Sequence, residues 1–419
     1  MATASGTTSR PTGRIAFTYP SFTLYQIARS LIVLATEMQS VAVMWQIYEI
    51  TNSKLDLGFV GLAQFLPGII FLPLSGHTAD RCNRSRVLSV GYVGLGMCSA
   101  LLLAITLRGA HTVYPIYVVI GLVGVARAFT GPASRAILPL IVPEEHFEHA
   151  FAWGATFFEI ATILGPAVGG LVYTIFRGPA AVYAAAVAAG VCGATVMSRV
   201  KLTPRKKKLE ILDWKTVFAG LHYIWREKIV LGSISLDLFA MLLGGAVALL
   251  PVYARDILHT GPWGLGLLRC APAVGAGIMA LFLAHRPLGK RAGMKMLWCV
   301  AGFGVCTILF GISRSFVLSL IALVFVGATD MVSVVVRGIL IQLRTPDEMR
   351  GRVNAVDMVF IGASNELGAF ESGATAWLLG TVPAVVLGGV GALVVTALWA
   401  WMFPDLRNAD ELVPLGRKR

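Results

Sequence analysis

Apolar positions in this chain come in long blocks, not in the alternation of a half-buried strand or the stripe of a soluble amphipathic helix. Windows dominated by apolar residues, long enough for a helix to cross ~30 Å of hydrocarbon, occupy 22–49, 56–79, 87–107, 114–141, 149–176, 180–199, 229–253, 262–284, 296–312, 316–343, 353–378 and 383–403. Backbone groups in lipid must be satisfied within the segment itself, so twelve transmembrane helices are predicted. A longer polar segment separates the sixth window from the seventh and splits the twelve into two sets of six. The organisation expected is an N-tail (1–20), a first six-helix bundle (21–199), a linker (200–228), a second six-helix bundle (229–403) and a C-tail (404–419). Within the linker, Trp214, Val217, Phe218, Leu221, Ile224 and Trp225 recur at helical spacing, with Lys215, Arg226 and Lys228 on other faces. That pattern predicts an amphipathic helix lying on the membrane surface.

Composition agrees with this. Of 419 residues 56% are hydrophobic and 14% charged, against roughly 25% charged in a soluble protein, and the mean hydropathy is +0.75. The fold class is therefore an all-α polytopic membrane protein. The first apolar window is too long for a cleavable signal and lacks a small-residue cleavage site. Loop charge orients the spans. One side carries Arg10 and Arg14, Arg81, Arg84 and Arg86, Lys201 and Arg205 to Lys208, Lys290 and Arg291, Arg344, Arg350 and Arg352, and Arg417 to Arg419. The other side has only Lys54, Arg108, Arg177, Arg255 and Arg314. Both termini are expected in the cytoplasm. The net charge of +13 sits at membrane edges, so topology explains it better than nucleic-acid binding does. Cys82, Cys98, Cys192, Cys270, Cys299 and Cys306 lack metal-ligand spacing and read as packing residues.

The two halves repeat one another. A shift of 203 residues superposes Gly124 on Gly327, Pro143 on Pro346, Glu145 on Glu348, Gly165 on Gly368 and Gly170 on Gly373; a shift of 205 superposes Gly61 on Gly266, Pro67 on Pro272 and Arg86 on Arg291. Span ends, loop prolines and loop charges coincide in one register. That is the signature of parallel six-span repeats related by an axis along the membrane normal.

Charges inside spans are candidate functional residues by default, since an arginine at the bilayer centre costs at least ~2.5–3.5 kcal/mol. Arg127 in span four and Glu37 in span one fall at nearly the same depth, and Glu159 in span five is within reach of a long arginine. A carboxylate near a cation but partly desolvated is poised to exchange a proton; the alternative is a structural ion pair. In the second half Asp330 is equivalent to Arg127 under the 203 shift, which would put opposite charges on opposite cavity walls. An Asp330–Arg337 pair within span ten is the competing arrangement. Asp237, Arg269, Glu366 and Glu371 are further intramembrane charges, and Asp357 in the first turn of span eleven reads as a favourable N-terminal charge.

Four local patterns carry more specific information. Gly165-Pro166-Ala167-Val168-Gly169-Gly170 interrupts span five with small residues suited to close helix packing. Gly76-His77-Thr78-Ala79-Asp80-Arg81-Cys82-Asn83-Arg84-Ser85-Arg86 joins spans two and three. Arg127 is followed four residues later by Gly131, and Pro346-Asp347-Glu348 precedes Arg350-Gly351-Arg352-Val353-Asn354 between spans ten and eleven. These resemble, in turn, the GPxxGG antiporter motif, the GxxxDRxxRxR loop and the Arg-x-x-x-Gly element of the major facilitator superfamily. The last is similar to the TPxxxxGRxN loop of the bacterial branch that includes the enterobactin exporter and macrolide efflux proteins.

The resemblance implies two pseudo-symmetric bundles working by alternating access. It implies a cytoplasmic gate at Gly76, Asp80, Arg81, Arg84 and Arg86 that latches the outward-open state, and a second-half gate loop at Pro346, Glu348, Gly351 and Arg352. Gly165, Pro166, Gly169 and Gly170 would seal against leak, and Glu37, Arg127, Glu159, Asp237 and Asp330 would serve coupling or the central cavity. The function expected is export of a small amphipathic molecule, drug-like or siderophore-like, by proton antiport across a bacterial inner membrane. A nutrient importer or facilitator of the same fold is the alternative, and a non-transporting scaffold a more distant one. No phosphate loop, HExxH, GxSxG or CxxC motif points to a primary pump or an enzyme. The expected partners are the lipid bilayer and a small-molecule substrate, with no nucleic acid, no cofactor beyond protons, no metal, and a monomeric chain.

Overall fold

A computed structural model of the chain describes residues 15–71, 74, 75, 78, 82–109, 111–202, 214–286 and 291–408. Among them twelve long helices follow one another: α1 (Pro20–Thr51), α2 (Lys54–Ile70), α3 (Arg84–Leu107), α4 (Tyr114–Ile137), α5 (Phe147–Ile175), α6 (Ala180–Ser198), α7 (Lys228–Gly244), α8 (Gly261–His285), α9 (Ala292–Ile312), α10 (Phe316–Arg344), α11 (Asp347–Leu379) and α12 (Thr381–Met402). A separate linker helix covers Trp214–Arg226. Local chemistry sets several boundaries. Pro20 opens α1, where a missing N–H costs nothing. Asn52 ends it in the left-handed conformation, its N–H returned to Tyr48 O. The Asn83 side chain caps α3 by accepting from the Ser85 and Arg86 amides.

Ten helices are individually long and apolar enough to span a membrane. The other two are α2, with 17 residues in the described helix, and α11, which carries Asp357, Glu366 and Glu371. These two pack on each other across the two halves. Two expected starts and spans shift. The helix expected from 353 begins at Asp347, so Asp357 lies ten residues inside α11 and not in its first turn. The seventh window breaks at Gly245 into a short 3₁₀ segment (Ala246–Leu249) and a π-helical turn (Tyr253–Ile257). Ser372 Oγ donates to the freed Gly245 carbonyl at 2.8 Å, the kind of side-chain rescue that makes a broken helix tolerable in lipid.

Within the first half, α1 packs on α5 and α6, α3 on α4 and α6, and α2 on α4. Within the second, α7 packs on α11 and α12, α9 on α10 and α12, and α8 on α10. The two lists are identical after a shift of six helices, and the contacts between halves, α2 with α11 and α5 with α8, map onto each other too. The repeat read from the sequence is thus a packing repeat. A Cβ added at Gly124 would strike the Gln64 carbonyl, and one at Gly327 the Pro272 carbonyl. Glycine at these superposed positions lets α4 lie on α2 and α10 on α8 at backbone contact.

Candidate functional site

We call the end where α1 begins and α12 finishes the near end, and the opposite one the far end. At the far end the halves grip. Gly170 on α5 lies against Pro262 and Gly266 on α8, and Gly373 on α11 lies against Gly58 on α2, each close enough that a Cβ would collide with backbone. Tyr48 OH donates to Asp256, Arg255 Nη1 donates to Tyr48 O at 3.2 Å, and the Arg255 guanidinium covers the Tyr48 ring at 5.3 Å. Toward the near end Gly131 on α4 and Gly338 on α10 face nothing within 4 Å. Between the two ends lies a cavity of about 380 Å³, walled by α1, α2, α4, α8, α11 and the break after α7.

Glu37 and Arg127 both line this cavity. Their Oε1 and Nη2 atoms are 4.0 Å apart, with side chains 21% and 43% exposed. The matched depth read from sequence does bring the two side chains together. Gly165 packs directly behind Glu37, and a Cβ there would meet the Glu37 Cβ; one at Gly169 would come within 2.7 Å of the Met38 backbone. The small-residue motif therefore has two faces. Gly165 and Gly169 seat α5 on α1, whereas Gly170 seats it on α8 of the other half.

Two more charges, named in the sequence but not ranked, belong to the same cavity. Glu366 on α11 accepts from Gln64 Nε2 at 3.4 Å, and Arg269 on α8 reaches Met44 Sδ at 2.7 Å. The 205-residue shift pairs Gln64 with Arg269, a signal that could have drawn attention to both. Glu159, on α5, is half-buried but does not line the cavity.

Asp237 and Asp330 lie apart from these, in a second cluster. Arg337, 4% exposed, bonds Asp237, and its Nε is 3.5 Å from Asp357 Oδ1. Ser333 Oγ approaches Asp237 Oδ1 at 3.5 Å. Asp330 lies within electrostatic range of Asp237 and Arg337 but forms no ion pair with Arg337 among the described residues. Both sequence arrangements for Asp330 are therefore corrected. Two helical turns separate it from Arg337 by ~10 Å along the axis, while Asp237 meets the guanidinium directly from facing α7. Nor does Asp330 oppose Arg127, because it is not among the cavity-lining residues.

Of the gate residues, Gly76, Asp80 and Arg81 lie outside the described residues. Arg84 and Arg86 open α3. Pro346 caps α11, and Glu348 and Gly351 are exposed. The linker helix, expected on the membrane surface, seats on this second-half loop. Gly220 packs on the Arg352 backbone, Tyr223 OH donates to Arg344 O at 2.6 Å, and Leu221 and Ile224 join Val353 and Val356 in an apolar cluster.

Two six-helix bundles related by pseudo-symmetry, closed at one end over a charged central cavity, define the architecture of a secondary transporter. The chain belongs to the Major Facilitator Superfamily, whose family model matches residues 27–364. It is similar to the enterobactin exporter EntS of Escherichia coli K12 and of Shigella boydii, 25% identical over 411 residues that cover 95% of this chain and 95% of each relative. Its fold is also that of the nucleoside transporter NupG (TM-score 0.72, 13% identity, 91% of this chain and 100% of that one). A D-xylose–proton symporter shares it as well (TM-score 0.69, 16% identity, 94% and 99%). The protein is a multi-pass membrane transporter.

Proposed function

We propose that this transporter is a proton-driven exporter of a small amphipathic organic molecule, drug-like or siderophore-like, in a bacterial inner membrane. The observation that carries the reading is the Glu37–Arg127 pair at the cavity wall with the Gly165 face of α5 packed directly behind it. At 4.0 Å and partly exposed, the pair is loose enough for Glu37 to trade its guanidinium partner for a proton when substrate takes Arg127. The positive-inside rule places the near end in the cytoplasm, so the cavity would load from inside while the far end is shut. The relative whose name records enterobactin export supports the direction. Around Arg337, Asp237 and Asp357 share one guanidinium, and Asp330 lies nearby without an ion pair to it among the described residues. In this reading the coupling ion is the proton, carried by an intramembrane carboxylate, with no other cofactor.

The test is accumulation and resistance in a strain stripped of its own efflux pumps, with and without a protonophore, followed by substrate-induced proton release from purified protein. Protonophore-sensitive export and proton release lost in Glu37→Gln are expected. Uptake in place of export, or export indifferent to the proton gradient, would overturn the reading.

A further inference from the structure

Arg269 is a cavity arginine with no ion-pair partner among the described residues. Arg127 has Glu37, and Arg337 has Asp237 and Asp357. Among the described residues no carboxylate oxygen lies within 4.0 Å of Arg269; its polar contact is the Met44 thioether at 2.7 Å, a weak acceptor. Glu366, which both Arg127 and Arg269 influence electrostatically, is held instead by Gln64. Two guanidiniums thus flank one region of the cavity, and one of them has unused donors.

Position strengthens the case. Arg269 follows Gly266 by one helical turn, and Gly266 is where α8 meets α5 to shut the far end. A molecule entering from the near end would come to rest against it. The neighbouring wall is apolar, with Val43, Val60, Ile120 and Val123. Among the cavity-lining residues there is no aromatic ring on which a neutral or cationic aromatic could stack. The equivalent position in the first half holds the neutral Gln64, so Arg269 has no symmetry mate, and the first-half wall contributes its guanidinium from α4, as Arg127.

From this we infer that Arg269, assisted by Arg127, is an anion-recognising subsite, and that the transported molecule is an organic anion: a carboxylate or comparable planar oxyanion on an apolar body. The planar fork of a guanidinium matches such a group bidentately, and a desolvated cavity strengthens the pairing. The inference rests on the reading above only in that the central cavity holds the substrate.

Equilibrium dialysis of the purified full chain against three isosteric probes tests it: 2-naphthoate, 2-naphthamide and 2-naphthylmethylammonium. Naphthoate is expected to bind at least about tenfold more tightly than either of the others, as one charge-assisted bidentate contact warrants. Arg269→Gln should remove that advantage, and Arg269→Lys should retain part of it; elution volume and unliganded melting temperature check that both variants are folded. Absence of saturable naphthoate binding, equal binding of the amide or the ammonium, or undiminished naphthoate binding in Arg269→Gln would overturn the inference. Binding in detergent needs neither a gradient nor a direction, so a failure of proton-driven export in vesicles leaves this result untouched, and the reverse also holds.

Discussion

Gly170→Ala is the sharpest probe of how the two halves close, because the added methyl group lands on another helix's backbone. A Cβ at this position would collide with the Pro262 carbonyl and lie 3.0 Å from Gly266 Cα and 3.1 Å from Gly266 N. No side chain can swing away, so α5 and α8 must separate. Overpacking of this kind costs about 1–3 kcal/mol. The contact joins the two halves at the closed far end, so the cost falls on the far-end-closed state alone. The far-end-open population should rise by roughly 5- to 150-fold. Gly169→Ala is the control: its Cβ would sit 2.7 Å from the Met38 backbone inside the same half, a contact kept in both states. The assay is alkylation of Ser40→Cys, a cavity position, in a cysteine-free background by an impermeant reagent applied from the far side. The labelling rate should rise in proportion to the open population with Gly170→Ala and stay near the parent with Gly169→Ala. Equal rates in parent and Gly170→Ala, or a rise shared by both glycine variants, would refute the reasoning.

Tyr48→Phe removes the hydroxyl that bonds Asp256 across the halves and should weaken far-end closure by about 1.5–3 kcal/mol, the range for a hydrogen bond to a charged group; the same labelling assay reads it, and an unchanged rate would exclude Tyr48 as a closing contact. Arg337→Met leaves Asp237 and Asp357 without their shared cation and should destabilise the folded chain by about 3–5 kcal/mol, visible as a lower melting temperature in detergent. Asp237→Asn should cost less, because Asp357 still pairs with Arg337; equal losses would contradict the shared-guanidinium geometry. Gly220→Leu should undock the linker helix from the Arg352 backbone and expose it to limited proteolysis, while protection equal to the parent's would show that the seat is not tightly packed.

Much of the fold was legible along the chain because a membrane imposes its rules locally. Each span must be long, apolar and internally hydrogen-bonded, so the windows, the six-plus-six division and the paired glycines could be read one segment at a time. The depth of Glu37 and Arg127 could be counted for the same reason, since rise per residue in a helix is fixed. Rotation about each helix axis is not fixed by depth. It decided that Glu37 and Arg127 face each other, that Arg337 pairs with Asp237 and Asp357 and, among the described residues, not with Asp330, and that Glu159 lies outside the cavity.

The glycine motif shows the same division at the scale of one helix. That residues 165–170 form a small-residue surface was determined by the sequence, because no larger side chain is there to hold a neighbour away. That Gly165 and Gly169 meet α1 while Gly170 meets α8 was decided only by the tertiary structure. Adjacent residues point about 100° apart on a helix, so Gly169 and Gly170 present different faces, and which partner each face receives depends on where the other eleven helices pack. Arg269 is the same case. The sequence alone put a guanidinium in the membrane, and only the packing of α8 against α5 and α10 left it facing the cavity with no ion-pair partner among the described residues.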